Sequence, residues 1–184
     1  MRSGVRGALR ILLAALAATS AAPLSAQPKS DWELAEEERR WREVDFMLPQ
    51  YPKAADLVEF DVSAARDFRF FIDATSLSVG KDGVVRYTLV ARSASGVENV
   101  SYEGIRCKSG TVRAYAFGQG GGRWSGRGTA WRQIERKQAQ GWHFALWRDY
   151  FCPHAIAIHD AAEGIDALRR GGPPDAARAD TSGR

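Results

Sequence analysis

Histidine and cysteine, the side chains that most often mark catalytic and metal sites, are scarce in this sequence. It holds 3 His and 2 Cys among 184 residues. His154 and His159, with Asp160 beside them and Asp149 and Glu163 near in sequence, are the donor types of a small hydrolase or metal-dependent enzyme. A zinc hydrolase places two His one helical turn apart with a Glu between them as general base. Here the two are five apart, no Glu lies between them, and Pro153 marks a helix break just before them. The plainer expectation puts His154 and His159 in loops and caps and His143 on a helix surface. No metal or other cofactor is predicted, and the enzyme reading stands second.

A serine hydrolase presents Gly-x-Ser-x-Gly on a strand–turn–helix elbow. That motif is absent, and Ser125 in Trp124-Ser125-Gly126 is its nearest echo. The run Gly118–Gly128 (GQGGGRWSGRG) is rich in glycine. It lacks the Lys-Ser/Thr of a phosphate loop and the spacing of a dinucleotide fold. It does interleave basic and aromatic groups: Arg123-Trp124, Arg127, then Trp131-Arg132. Such a pattern contacts sugars, peptides or single strands by stacking and charge. Arg123, Trp124, Arg127 and Trp131 are therefore the candidate ligand contacts. The plainer alternative is an exposed loop with one Trp folded back on a sheet.

The N-terminus decides which ligands such a surface would meet. Arg2, Arg6 and Arg10 precede the apolar run Ile11–Ala18, and Leu24-Ser25-Ala26 offers a small residue at a cut before Gln27. That order predicts a cleaved secretory signal peptide over residues 1–26 and a periplasmic protein. The apolar run is shorter than the roughly 20 residues that span a bilayer. Three of the 26 basic residues leave with the signal and none of the 22 acidic ones, so the net charge falls from +4 to +1. A nearly neutral exported chain is not expected to bind nucleic acid. No later stretch reaches membrane-spanning length, so a soluble protein is expected.

Export also gives the cysteines a meaning. Cys107 and Cys152 are an even pair in an oxidising compartment, which predicts one disulfide. Closing a 45-residue loop contributes roughly 4 kcal/mol on the chain-entropy model.

The elements that must position these groups follow from periodicity. Ser30 and Glu33 fit a capping box ahead of the charged run Asp31–Glu43, where Glu36 and Arg40 sit four apart as on a solvated helix. Pro49 and Pro52 stop it. Strands are predicted over Leu57–Val62, Phe68–Asp73, Val84–Arg92, Val97–Cys107 and Thr111–Phe117. Turns at Gly80–Gly83, Ser93–Gly96 and Lys108–Gly110 separate them, the mark of an antiparallel meander. Trp142–Phe151 reads as a helix with Phe144, Trp147 and Phe151 inward. Asp160 and Glu163 open a last helix that ends at Gly171-Gly172. Residues 172–184 have the composition of a disordered tail.

Several stretches resemble the cryptic neisserial protein 1-like family, small exported proteins of Gram-negative bacteria. They are LPQYP at Leu48–Pro52, SLSVGKDGVVRYTLVARSASGVENVSYEGIRC at Ser76–Cys107, ALWRDYFCP at Ala145–Pro153 and the helix Gly164–Arg170. The resemblance covers roughly Trp41–Gly171 and contains both cysteines. It implies a single periplasmic domain. The family carries no known activity, so it brings no catalytic residues.

The expectation is an α+β domain over residues 48–171, behind a charged helical segment at 27–47. An antiparallel sheet of five or six strands should carry the C-terminal helices on one face. The expected function is non-catalytic binding of an envelope protein or a cell-wall glycan.

Overall fold

The computed structural model describes residues 29–62, 67–135 and 141–173. The predicted signal segment and most of the predicted tail lie outside them. The chain forms two units, Met1–Arg40 and Trp41–Arg184. In the first, helix α1 spans Asp31–Arg40 and buries no residue. Glu33 reaches back to the Ser30 N–H at 2.8 Å, and Glu36 takes Arg40 at 2.8 Å. These are the capping and four-residue contacts that the sequence predicts.

The second unit is an antiparallel sheet with helices on one face, as expected. Its strands are β1 (Leu57–Phe60), β2 (Phe68–Val79), β3 (Val84–Ser93), β4 (Glu98–Arg106), β5 (Thr111–Gln119), β6 (Arg123–Ser125) and β7 (Arg132–Gln133). The order β1-β2-β3-β4-β5-β6 follows the chain, and β7 pairs with β5. The glycine run is thus the tip of a hairpin: Gly118 pairs with Trp124 and Gln119 with Arg123. Gly121 and Gly122 turn it at φ of 76° and 68°, which only glycine adopts without strain.

Alternation along the strands builds two faces. Phe70, Ile72, Val85, Tyr87, Leu89 and Ile105 face the C-terminal helices and form the main core. A second, smaller cluster of Phe71, Val90 and Val100 lies on the other side with Tyr51, Leu57 and Trp124 against it. Trp41–Pro52 runs extended there as a strap. Its Trp41 indole N–H donates to Asp82 O at 2.9 Å and its Val44 N–H to Asp82 Oδ2 at 3.0 Å. Glu43 accepts from Arg113 at 3.0 Å, Arg86 at 3.3 Å and the Tyr115 hydroxyl at 2.5 Å. Arg86 in turn holds Asp82 at 2.6 Å. Burial alone would lower the Arg86 pKa, but Asp82 and Glu43 raise it, so the guanidinium stays charged.

The helices differ from expectation in one respect. α2 (Gly141–Ala145) runs into a wide turn over Leu146–Phe151, where Cys152 N–H bonds Trp147 O, five residues back, at 3.0 Å. His143, Leu146, Tyr150 and Phe151 are buried there. The predicted stripe of Phe144, Trp147 and Phe151 is therefore out by one residue for its first two members. The wide turn holds an extra residue, which brings Phe151 inside alongside Tyr150. His143, expected on the surface, is in the core.

α3 (Ala161–Arg170) is capped by Asp160, which accepts from Glu163 N–H at 2.9 Å, and ends on Gly171 at φ 69°. It buries Gly164, Ala167 and Leu168 against β1 and β2. A Cβ on Gly164 would stand 2.6 Å from Ile158 and 2.8 Å from Leu77, so the close approach requires glycine. Cys107 and Cys152 form the predicted disulfide, with Cα atoms 5.2 Å apart. It ties the end of β4 to the end of the wide turn.

Candidate functional site

The helices do not cover the whole sheet face. A cavity of about 620 Å³ remains over β2–β5, closed on one side by Trp142, His143 and Arg132. Its floor is buried: Phe70, Leu89, Val112, Glu103 and His143 are each 5% exposed or less. Its rim is open at Phe68 and Phe117, both 41% exposed. That size and an apolar wall with a few polar groups suit a small-molecule site.

The polar groups converge on Glu103. This carboxylate projects from the middle of β4, on the same face as Ser101 and Ile105. A bulge sits beside it: Glu103 pairs with Ala114 and Tyr102 with Ala116, leaving Tyr115 as the extra residue. Bulges re-aim side chains next to functional sites. Glu103 Oε1 accepts from Ser101 Oγ at 2.7 Å, and Oε2 accepts from Tyr87 Oη at 3.1 Å. His143 Nε2 lies 2.7 Å from Glu103 Oε2, and His143 Nδ1 lies 3.2 Å from Arg132 Nη2. A guanidinium can only donate, so Nδ1 is the acceptor and Nε2 carries the proton given to Glu103. The result is a relay, Arg132 to His143 to Glu103.

Electrostatics agree with this arrangement. Burial pushes the Glu103 carboxyl upward, but His143, Ser101 and Tyr87 more than offset it and hold it below its ordinary 4.5. The Tyr87 hydroxyl moves the other way. Burial raises it well above 10, and the neighbouring Glu103 charge raises it further. Tyr87 therefore stays a donor and Glu103 an acceptor.

The residues singled out from sequence lie elsewhere. Trp124 is half-buried on the strap side, its N–H on Pro49 O at 2.9 Å and its ring 5.2 Å from Tyr51. Trp131 meets Trp41 edge-on at 5.9 Å and Tyr115 at 6.4 Å. Arg123 and Arg127 are exposed near the hairpin tip. Both tryptophans thus pack in the strap-side aromatic cluster, away from the cavity. His154 and His159 are exposed. His159 faces solvent beside Asp160 at 3.4 Å, while Asp160 and Glu163 are engaged in capping α3. Among the described residues no three His, Cys, Asp or Glu side chains stand together as a metal site.

Residues 36–169 match the sequence model of the CNP1-like family. The chain belongs to this family. The match takes in the strap from Trp41, the whole sheet, both cysteines and nearly all of α3, and so includes every residue of the Glu103 relay. No curated protein and no solved structure matches the chain. Among the described residues no helix is long and apolar enough to cross a membrane.

Sequence reasoning passed over the relay because its members are 87, 101, 103, 132 and 143 in the chain and form no motif. One signal was available. Ser101 and Glu103 occupy the same strand face as Ile105, and a carboxylate on an inward face must be paired.

Proposed function

We propose that this is an exported, non-catalytic binding protein of the cell envelope whose ligand occupies the cavity over β2–β5. The observation that carries the reading is the state of the His143 imidazole. It lines an apolar cavity, yet both its nitrogens are engaged, one by Glu103 and one by Arg132. A general base needs a nitrogen within reach of the substrate proton. An imidazole held at both ends instead fixes the wall of a binding site. Export rests on the order of charge, apolar run and small residues in Met1–Ala26.

A ligand for this cavity is small and mostly apolar. A protein or cell-wall glycan as partner would instead meet the hairpin, where Arg123 and Arg127 are exposed. The two sites separate by mutation. Ala91 lines the cavity and is 7% exposed, so Ala91→Trp fills it. The neutral dye N-phenyl-1-naphthylamine should gain fluorescence with the exported protein and lose that gain with Ala91→Trp. Loss with Trp124→Ala and not with Ala91→Trp would move the site to the hairpin. Mass spectrometry of the periplasmic fraction should find a chain starting at or within a few residues of Gln27. An uncleaved chain in the cytoplasm would overturn export.

A further inference from the structure

Several polar side chains around the cavity are already engaged. Glu103 Oε1 accepts from Ser101 at 2.7 Å, and its Oε2 accepts from Tyr87 at 3.1 Å and His143 at 2.7 Å. Arg132 donates to His143 at 3.2 Å and has a further contact besides. Thr129 Oγ1 accepts from the Ala114 N–H at 2.9 Å. The Trp142 indole differs. Its ring lies against Phe70 on the cavity wall, with centroids 5.1 Å apart and planes 28° from parallel. Its Nε1 is buried and has no hydrogen-bond partner among the described residues. Arg113 Nε also lacks a partner, but that guanidinium turns to Glu43 at 3.0 Å and to the Tyr115 and Trp131 rings, on the strap side. A buried N–H without an acceptor is costly, and native proteins satisfy nearly all of them.

Charge narrows the ligand further. Glu103 and Arg132 both line the cavity, one on each side of the His143 imidazole. Their opposite charges act against each other on any head group. A cation drawn by Glu103 is opposed by Arg132, and an anion drawn by Arg132 is opposed by Glu103. Taking a charged head out of water is costly without an uncompensated partner, and a neutral group avoids that cost. We propose that the cavity takes a small, neutral, mostly apolar molecule whose carbonyl oxygen accepts the Trp142 indole N–H. A carbonyl brings two acceptor lone pairs and no donor that would itself need a buried partner. The hydrocarbon of the ligand lies along Leu89, Val112 and Phe117. This inference rests on the cavity reading above and gives its ligand a chemical class.

The test uses the purified, disulfide-bonded protein with N-phenyl-1-naphthylamine bound, displaced at pH 7.5 by 2-decanone, decanoate or decylamine. The three share one chain length and differ in head charge. 2-Decanone should displace the dye at a concentration about tenfold below that of either ion. Trp142→Phe keeps an aromatic ring against Phe70 and removes the donor. It should weaken 2-decanone about fivefold and leave dye uptake unchanged. In the parent protein labelled with nitrogen-15, the assigned Trp142 indole proton should move downfield on saturation with 2-decanone. That measurement decides the contact even where the variant does not fold. Equal displacement by the three compounds, or preference for either ion, overturns the neutral ligand. An unmoved indole resonance overturns the Trp142 contact. Both results leave the cavity reading standing, whereas no dye uptake at all overturns that reading and this inference together.

Discussion

Glu103 Oε2 and His143 Nε2 are 2.7 Å apart, joining the middle of β4 to the start of the C-terminal helices across 40 residues of chain. Both side chains are at most 7% exposed. Removing one partner of such a pair leaves the other buried without its hydrogen bond. His143→Ala is therefore expected to cost about 3–5 kcal/mol, measured by urea unfolding. A change below about 1 kcal/mol would show that the pair is not closed in solution.

The same carboxylate sets an acid limit. Glu103 is held below its ordinary 4.5, so the folded state favours its ionised form. Its contribution is fully present above about pH 4.5 and is lost as pH falls through the folded value. The urea midpoint should fall on acidification below that pH. Glu103→Gln should lower the midpoint at pH 7 and flatten the acid fall. An unchanged acid slope in this variant would assign the fall to other carboxylates.

The disulfide makes a separate contribution. Labelling of the denatured, unreduced protein should find no free thiol. The Cys107→Ser/Cys152→Ser double variant should be less stable by about 2–4 kcal/mol, since it frees a loop of 45 residues. Two reactive thiols in the purified protein would remove this account.

On the opposite face, Asp82 holds the strap to the sheet. Its carboxylate takes Arg86 at 2.6 Å and the Val44 N–H at 3.0 Å, and its carbonyl takes Trp41. Burial would raise its pKa, and these donors lower it instead. Asp82→Ala leaves the buried Arg86 with Glu43 alone and should cost about 3 kcal/mol. Trypsin should then cut after Arg42 sooner than in the parent protein. Unchanged cutting would mean that Phe46, packed against Tyr115 with ring centroids 4.2 Å apart, keeps the strap down by itself.

Much of the sheet was legible because its signals are local. Val85, Tyr87, Leu89 and Ala91 share a face against Arg86, Thr88 and Arg92, and the turns at Gly83, Gly96 and Gly110 all have positive φ. Asp160 and Gly171 bound α3 where their types predict. The α2 face was not legible, since a wide turn follows from packing against the sheet and the tie at Cys152. Neither was the hairpin partner of Gly118. Its Cα hydrogens lie against Tyr51, where a Cβ would come within 2.5 Å of the hydroxyl oxygen. That contact spans two segments far apart in the chain.

The sequence by itself determined the order of strands β1–β5, the two ends of α3 and the pairing of the only two cysteines. It also carries the order of charged, apolar and small residues in Met1–Ala26 from which export is proposed. Each is encoded by neighbours within a few residues, or by there being only one way to pair two thiols. Only the tertiary structure decided where chemistry can occur. It placed Trp124 and Trp131 in packing on one face and closed a cavity over the other. There it joined Arg132, His143 and Glu103, because a hydrogen-bonded relay depends on distances that folding sets between residues with no fixed spacing in sequence.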